Sequence, residues 1–284
     1  MLRPAISHAQ RTIPKYRDGV WHNEPDETAV EEPLEIRVAW DDGVSRGKQA
    51  ITITMRTPGN DFDLAAGFLF GEGIVREPRD ISEIGYCREV ATEEERCNTV
   101  LVTLRDGLSL DLKGQERNFT TTSACGVCGK ASLAALAITG CGPLEAGPVI
   151  DAATLCALPA TLRSAQAAFA TTGGVHATGL FEPDGSLVDL REDVGRHNAF
   201  DKLVGSRFLD GGPEALAGKV ALLSGRASFE LLQKALRARI PIVAAIGAPS
   251  SLAVEIAERF NITLAGFVRG GGFNVYAGRE RIRD

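Results

Sequence analysis

The chain has 284 residues, 44% hydrophobic and 24% charged, with a formal net charge of −6 and six cysteines. This is an ordinary globular composition, long enough for a large core and for two domains. Net negative charge argues against nucleic-acid binding as the main activity, and no stretch approaches the ~20 apolar residues of a membrane span. The first twenty residues, with Arg3, His8, Arg11, Lys15 and Arg17 among polar positions, lack the apolar centre of a secretion signal. A cytoplasmic protein is expected, with its cysteines free, metal-bound or catalytic rather than forming a disulfide framework.

Residues 1–32 read as an irregular arm, punctuated by Pro4, Pro14 and Pro25 and without a helical or strand period. Residues 33–113 read as a β-rich domain with one helix. Leu34, Ile36 and Val38 alternate with polar residues, Asp41-Asp42-Gly43 marks a turn, and Ile51, Ile53 and Met55 alternate again. Asp61 is the expected N-cap of a helix over 62–70, closed by Gly71 and Gly73. Strands at 81–90 and 99–104, the second pairing with 108–112 across Arg105-Asp106-Gly107, complete this domain. Residues 114–129 form a polar, glycine-bearing loop expected to be mobile, followed by an apolar helix over 130–139. Residues 130–284 read as an α/β domain. Helices at 152–169 (interrupted at Pro159), 195–203, 228–237 and 251–260 alternate with strands at 176–181, 187–190, 220–223, 242–246 and 263–267. A last strand spans 273–276. The expected fold class is α/β, α+β overall, with a largely parallel sheet covered by helices.

The loop carries Cys125-Gly126-Val127-Cys128-Gly129. Two thiols three residues apart at a loop-to-helix junction lie where a helix dipole favours an anion, so a thiolate is promoted there. A structural zinc site needs four ligands, and Cys87, Cys97, Cys141 and Cys156 are scattered singly. A thioredoxin-like pair should follow a strand, whereas a polar run precedes this one. Reversible sulfur carriage on one thiol fits better, and no metal site is expected. The C-terminal half offers a second cluster. Thr172-Gly173-Gly174-Val175-His176 enters a strand, and Arg191-Glu192-Asp193-Val194-Gly195-Arg196-His197-Asn198 enters a helix. Ser224-Gly225-Arg226-Ala227-Ser228 and Gly247-Ala248-Pro249-Ser250-Ser251 each join a strand end to a helix. Ligands of open α/β sheets bind outside the carboxyl ends of strands, and helix N-termini take phosphate. Together with Arg191, Arg196 and Arg226 these loops favour a phosphate-bearing ligand, although each alone could be ordinary turn chemistry. His176 and His197 could serve as acid–base groups or be structural. In Phe267-Val268-Arg269-Gly270-Gly271-Gly272, three glycines let a backbone approach a flat ligand and Arg269 adds a cation; a flexible hairpin turn is the alternative.

On these motifs, with Arg56-Thr57-Pro58-Gly59-Asn60-Asp61, Gly67-Phe68-Leu69 and Phe273-Asn274-Val275-Tyr276, residues 33–276 resemble the formate dehydrogenase accessory sulfurtransferases, the FdhD/NarQ family. The resemblance implies a cytidine-deaminase-like C-terminal sheet and a sulfurtransferase that takes persulfide sulfur from a cysteine desulfurase. The sulfur would pass to bis(molybdopterin guanine dinucleotide), the molybdenum cofactor of formate dehydrogenase. Cys125 is then the implied carrier and Cys128 a helper or alternative acceptor. Phe267, Val268, Arg269, Gly270, Gly271 and Gly272 become the implied cofactor-binding stretch. His176, Arg196, His197, Ser224 and Arg226 would serve the phosphates, a guanine nucleotide such as GDP is a partial mimic, and a homodimer is expected. Deaminase chemistry does not carry over: Thr178 stands where the catalytic Glu would, and the Pro-Cys-x-x-Cys half is missing. A chaperone that holds the cofactor without moving sulfur is the alternative.

Overall fold

The computed structural model describes residues 6–108 and 141–284. The thiol pair Cys125/Cys128, its loop, the expected 108–112 strand beyond Leu108 and the helix over 130–139 lie outside the described residues.

The chain opens with a hairpin, β1 (His8–Arg17) and β2 (Val20–Ala29), paired antiparallel with Tyr16 opposite Trp21. This replaces the expected irregular arm. Almost every side chain of the ribbon is at least partly exposed, so no apolar period marks it. Its signal is the turn: Asp18 and Gly19 both have positive φ, 50° and 86°, as a two-residue hairpin turn that follows strand twist requires.

Four strands follow in the order β4-β3-β6-β5: β3 (Glu32–Asp41), β4 (Arg46–Arg56), β5 (Ile81–Tyr86) and β6 (Thr99–Leu104). The expected strand over 81–90 ends early. A short helix, α2 (Glu93–Cys97), intervenes; the Thr92 side chain accepts from the Glu95 N–H and Glu95 reaches back, a capping box visible in Thr92-Glu93-Glu94-Glu95. In helix α1 (Asp61–Glu72) the N-cap position falls to Asn60, in the left-handed region and without a side-chain cap bond, rather than to Asp61, and Gly73 closes the helix at φ 77°. Asp61 is instead buried against Arg56, at 2.9 Å.

The second sheet runs β13-β12-β11-β10-β8-β9. It is built from β8 (His176–Phe181), β9 (Leu187–Asp193), β10 (Val220–Leu223), β11 (Ile242–Ala245), β12 (Thr263–Arg269) and β13 (Gly272–Ala277). It is mixed rather than largely parallel. Only β10–β11 and β11–β12 pair in parallel, where α6 (Phe229–Arg237) and α7 (Ser251–Arg259) make the crossovers. The outer strands arrive through tight turns at Pro183-Asp184-Gly185 and Gly270-Gly271, and a tight turn forces antiparallel pairing. The helix expected over 152–169 is α3 (Ala152–Ala165), which passes through Pro159 and stops at Gln166, then α4 (Ala167–Thr172). Helix α5 (Arg196–Gly211) extends well past residue 203. Strands β7 (Ile150–Asp151) and β14 (Ile282–Arg283) form a two-residue parallel pair near the C-terminus.

Strand alternation divides the core. Val220, Leu222, Ile242 and Ala244 face α3 with Leu155, Leu158 and Leu162. Ala221, Leu223, Val243 and Ala245 face the other way, in one apolar cluster with α5, α6, α7, α1 and Leu34, Ile36 and Val102 of the first sheet. Helices α1 and α5 cross with backbones touching: a Cβ on Gly67 would stand 1.9 Å from the Asp201 carbonyl oxygen, and one on Gly205 1.8 Å from that of Asp63. Glycine is required at both positions by space, not by dihedral angle.

Candidate functional site

Topology gathers the site. The parallel strands β10, β11 and β12 end at one edge. Because β8 runs antiparallel to β10, its first residue, His176, lies at that same edge, as does the end of β9 paired with it at Asp193. Helices α5, α6 and α7 therefore all begin there with their positive dipole ends, although at α7 the Ser250 hydroxyl already accepts from the Ala253 N–H.

The loops after the strands are laced together. Gly247 donates its N–H to the Gly225 carbonyl at 3.0 Å, Ala227 donates to Ala248 at 3.2 Å, Ser250 to Ala227 at 3.0 Å, and Phe267 to Gly247 at 3.2 Å. Gly247 must be small, since a Cβ would meet the Gly225 oxygen at 3.0 Å and Arg226 Cα at 3.2 Å. Ser224 Oγ accepts from the Ala177 N–H at 2.9 Å and stands 3.5 Å from His176 Nδ1. A Cβ on Gly225 would touch the His176 ring at 3.4 Å and Arg196 Cδ at 3.9 Å. His176, Arg196, Ser224 and the Gly225-Arg226 turn thus form one cluster, with His197 at its side. The His197 Nε2 is 3.1 Å from Ser228 Oγ and 3.5 Å from a Glu230 carboxylate oxygen.

Arg196 Nε is buried without a hydrogen-bond partner, and among the described residues neither Arg196, Arg226 nor Arg269 forms an ion pair. A buried guanidinium N–H left unpaired next to three helix N-termini suits an anionic ligand. Both histidines are held toward the neutral form. Burial lowers His176, with Arg196 acting the same way against Asp193. Burial pushes His197 down to about 4, against the pull of Glu230 and with help from Arg196, Lys234 and His176.

The remaining expected residues are placed differently. Phe267 sits in β12 at φ 54°, a region that costs a bulky side chain of order 1–3 kcal/mol and clusters at functional sites. The Val268 side chain is 1% exposed and belongs to the core. Gly270, Gly271 and Gly272 have neither positive φ nor a neighbour within 4 Å of a built Cβ, so nothing in the described protein demands glycine there. Arg191 is not available to a ligand: Asp63 at 3.4 Å, Asp189 and Ser206 hold its guanidinium. Among the described residues no group of His, Cys, Asp and Glu could hold a metal ion.

Most of the polar run over 192–198 is a latch. Glu192 accepts from the Ala168 and Phe169 N–H groups, both at 2.8 Å, capping α4. Asp193 is buried, ion-paired to Lys202 at 2.7 Å, and accepts from the Thr57 and Gly195 N–H groups at 3.1 and 2.8 Å. Asn198 donates to the Met55 carbonyl at 2.7 Å, and Lys202 to that of Thr57 at 2.7 Å. A cleft of about 210 Å3 beside this latch is lined by Ser7, Thr57 to Asn60, Ala168, Leu190 to Glu192 and Lys202; of the arginines expected to meet a phosphate it holds Arg191, whose guanidinium is already engaged by Asp63, Asp189 and Ser206. Sequence reading gave Glu230 no role, although it closes the family motif that begins at Ser224, and it missed Lys234 and Asp201. The signal was available as helical spacing, His197/Asp201 on α5 and Glu230/Lys234 on α6, each four apart.

Fold and edge define a mixed α/β protein that presents unpaired arginines and helix N-termini at the carboxyl end of its parallel strands. The family model described as the FdhD/NarQ family matches residues 29–283. The chain is 49% identical over 276 residues to the sulfur carrier protein FdhD of Streptomyces coelicolor, covering 96% of this chain and 95% of that one. It is 44% identical over 288 residues to the protein of the same name from Anaeromyxobacter dehalogenans, covering 98% and 95%. A crystal structure described as a formate dehydrogenase accessory protein from Desulfotalea psychrophila superposes with a TM-score of 0.73 at 25% identity, covering 98% of this chain and all of that one. The chain belongs to the FdhD/NarQ family. Among the described residues no helix is long and apolar enough to cross a membrane.

Proposed function

We propose that this chain is a cytoplasmic sulfur carrier serving formate dehydrogenase. The observation that carries the reading is 49% identity over 96% of the chain to a protein named as a sulfur carrier. The Cys125 thiolate attacks the outer sulfur of a persulfide on a cysteine desulfurase. The donor's S–S bond breaks, the donor leaves as a thiolate, and Cys125 holds the sulfur as its own persulfide; Cys128 assists or accepts in its place. The second substrate is bis(molybdopterin guanine dinucleotide) carrying molybdenum; it would take the outer sulfur as the persulfide S–S bond breaks and Cys125 leaves as its thiolate, with the two electrons that bring that sulfur to sulfide supplied by the reduced metal or by a thiol reductant. Its phosphates suit Arg196, Arg226 and the starts of α5, α6 and α7, and the turn after Phe267 leaves open space for a flat base. The β-rich N-terminal part, the thiol loop and the α/β part then divide the work as support, transfer arm and substrate seat.

Replacing Cys125 with Ala should abolish formate dehydrogenase activity in cells while leaving the amount of that enzyme unchanged. Mass spectrometry after incubation with a desulfurase and cysteine should find one added sulfur on Cys125. Normal activity in the variant removes the carrier role. Substrate binding with no added sulfur leaves a chaperone that holds the cofactor only.

A further inference from the structure

Helices α5 and α6 share a ladder of charge. On α6, Lys234 Nζ lies 2.8 and 2.9 Å from the two carboxylate oxygens of Asp201 and 4.0 Å from Glu230. The other oxygen of Glu230 is 3.5 Å from His197 Nε2. The lower rungs are fixed: the Lys234 and Asp201 side chains are 3% and 4% exposed, and the Phe68 ring of α1 lies 5.4 Å from the ammonium. Burial works against the charge on Lys234, but Asp201, Glu230 and Glu72 more than offset it and its pKa is raised. The ammonium therefore stays charged and holds Glu230 toward the site.

The groups that face His197 are Glu230 and Lys234 from α6, His176 from β8, and Arg196 on its own helix, with Asp201 one turn below. Both contacts of the ring, Ser228 Oγ and Glu230, are at Nε2. A carboxylate there keeps the imidazole proton on Nε2 and leaves Nδ1 with its lone pair. A phosphate arriving beside Arg196 brings negative charge to a ring already backed by a carboxylate, which favours the doubly protonated form, its Nε2–H shared between Ser228 Oγ and the Glu230 carboxylate. His176 feels Asp193 as a favourable carboxylate, but among the described residues its ring contact is Ser224 Oγ at 3.5 Å rather than a carboxylate oxygen.

We propose that Glu230 is a positioning residue that makes His197 take up one proton from solvent when a phosphate-bearing ligand enters the site. This deepens the reading that a guanine nucleotide binds at this edge and rests on it. The test is calorimetry of GDP binding to the full chain, from pH 6 to 8, in buffers of different ionisation heat. Wild-type protein should take up more protons than Glu230→Gln, and its affinity should fall more steeply with rising pH, by up to tenfold per unit for one linked proton. The titration of GDP itself is common to both; Asp201, which burial raises to about 7 with Glu230 adding to it, is separated by repeating the comparison in His197→Gln, where a wild-type-sized difference would assign the proton to Asp201 and overturn the proposal. Glu230→Asp should restore the uptake; Glu230 is half exposed, and matching melting temperatures will show that the variants are folded. Equal proton uptake in wild type and Glu230→Gln overturns the proposal while leaving the ligand reading intact. No GDP binding at any pH overturns both.

Discussion

Replacing Gly67 with Ala tests whether the backbone contact between α1 and α5 organises the molecule. The added methyl would stand 1.9 Å from the Asp201 carbonyl oxygen, 2.7 Å from its carbon and 2.8 Å from Gly205 N. Real contacts of this kind do not fall below 3.0 Å, so the helices must separate by about 1.1 Å along the first of these lines. None of the three obstructing atoms can rotate away, because all are backbone. Alanine regains ~1 kcal/mol of helix propensity over glycine, but overpacking against backbone costs ~3 kcal/mol or more. The balance is a loss of at least about 2 kcal/mol, or ~4–8 °C in melting temperature for a chain of this size. Differential scanning calorimetry measures it. Gly142→Ala is the control, since a Cβ there meets nothing within 4 Å and the residue has no positive φ. Because α5 begins with Arg196 and His197, Gly67→Ala should also weaken GDP binding. A variant that melts with wild type would refute the close crossing and the coupling argued from it.

Glu192→Ala should cost about 1 kcal/mol, the usual worth of a helix cap, and hydrogen exchange should quicken first at Ala168 and Phe169. Lys202→Met leaves the buried carboxylate of Asp193 without its ion-pair partner and should cost ~3–5 kcal/mol in denaturant titration; a loss below ~1 kcal/mol would mean that the hydrogen bonds alone hold the latch. Burial depresses His197 in the folded protein to about 4 from 6.5. The unfolded chain therefore binds more protons between those values, and stability is lost as pH falls through that window. His197→Gln should flatten this part of the melting temperature against pH profile; identical profiles would show that the ring does not titrate as argued. Arg269→Glu should weaken GDP binding without altering sulfur loading of Cys125, and unchanged affinity in calorimetry would remove Arg269 from the site.

The sequence exposed what repeats or punctuates. Leu34, Ile36 and Val38 announced a half-buried strand, and the apolar runs 220–223 and 242–246 announced buried ones, because burial imposes the period directly. The hairpin over 8–29 stayed hidden because neither face is buried and its polar pairs carry no period; only Asp18-Gly19 betrayed it. Pro159 misled for the opposite reason: α3 is supported by Leu155, Leu158 and Leu162 against the sheet, and that packing outweighs one missing hydrogen bond. At the site, the loops at strand ends were legible as turn chemistry. Which arginine was spoken for was not: Arg191 and Arg196 look alike in sequence, but Asp189 and Asp63 reach only the first. Nor could local reading show that Asn198 binds the end of β4, and Asp193 the turn after it, more than 130 residues earlier.

Asp193 stands three residues before Arg196 and holds the Thr57 turn that leads from β4 into α1. A ligand that orders the start of α5 therefore also slows the opening of that turn, since any species binding only the closed form raises its population by mass action. Amide exchange at Thr57 and along the end of β4 becomes a remote gauge of occupancy, readable without a label on the ligand. A protein docked solely on the four-stranded sheet would meet a stiffer surface when the seat is filled than when it is empty.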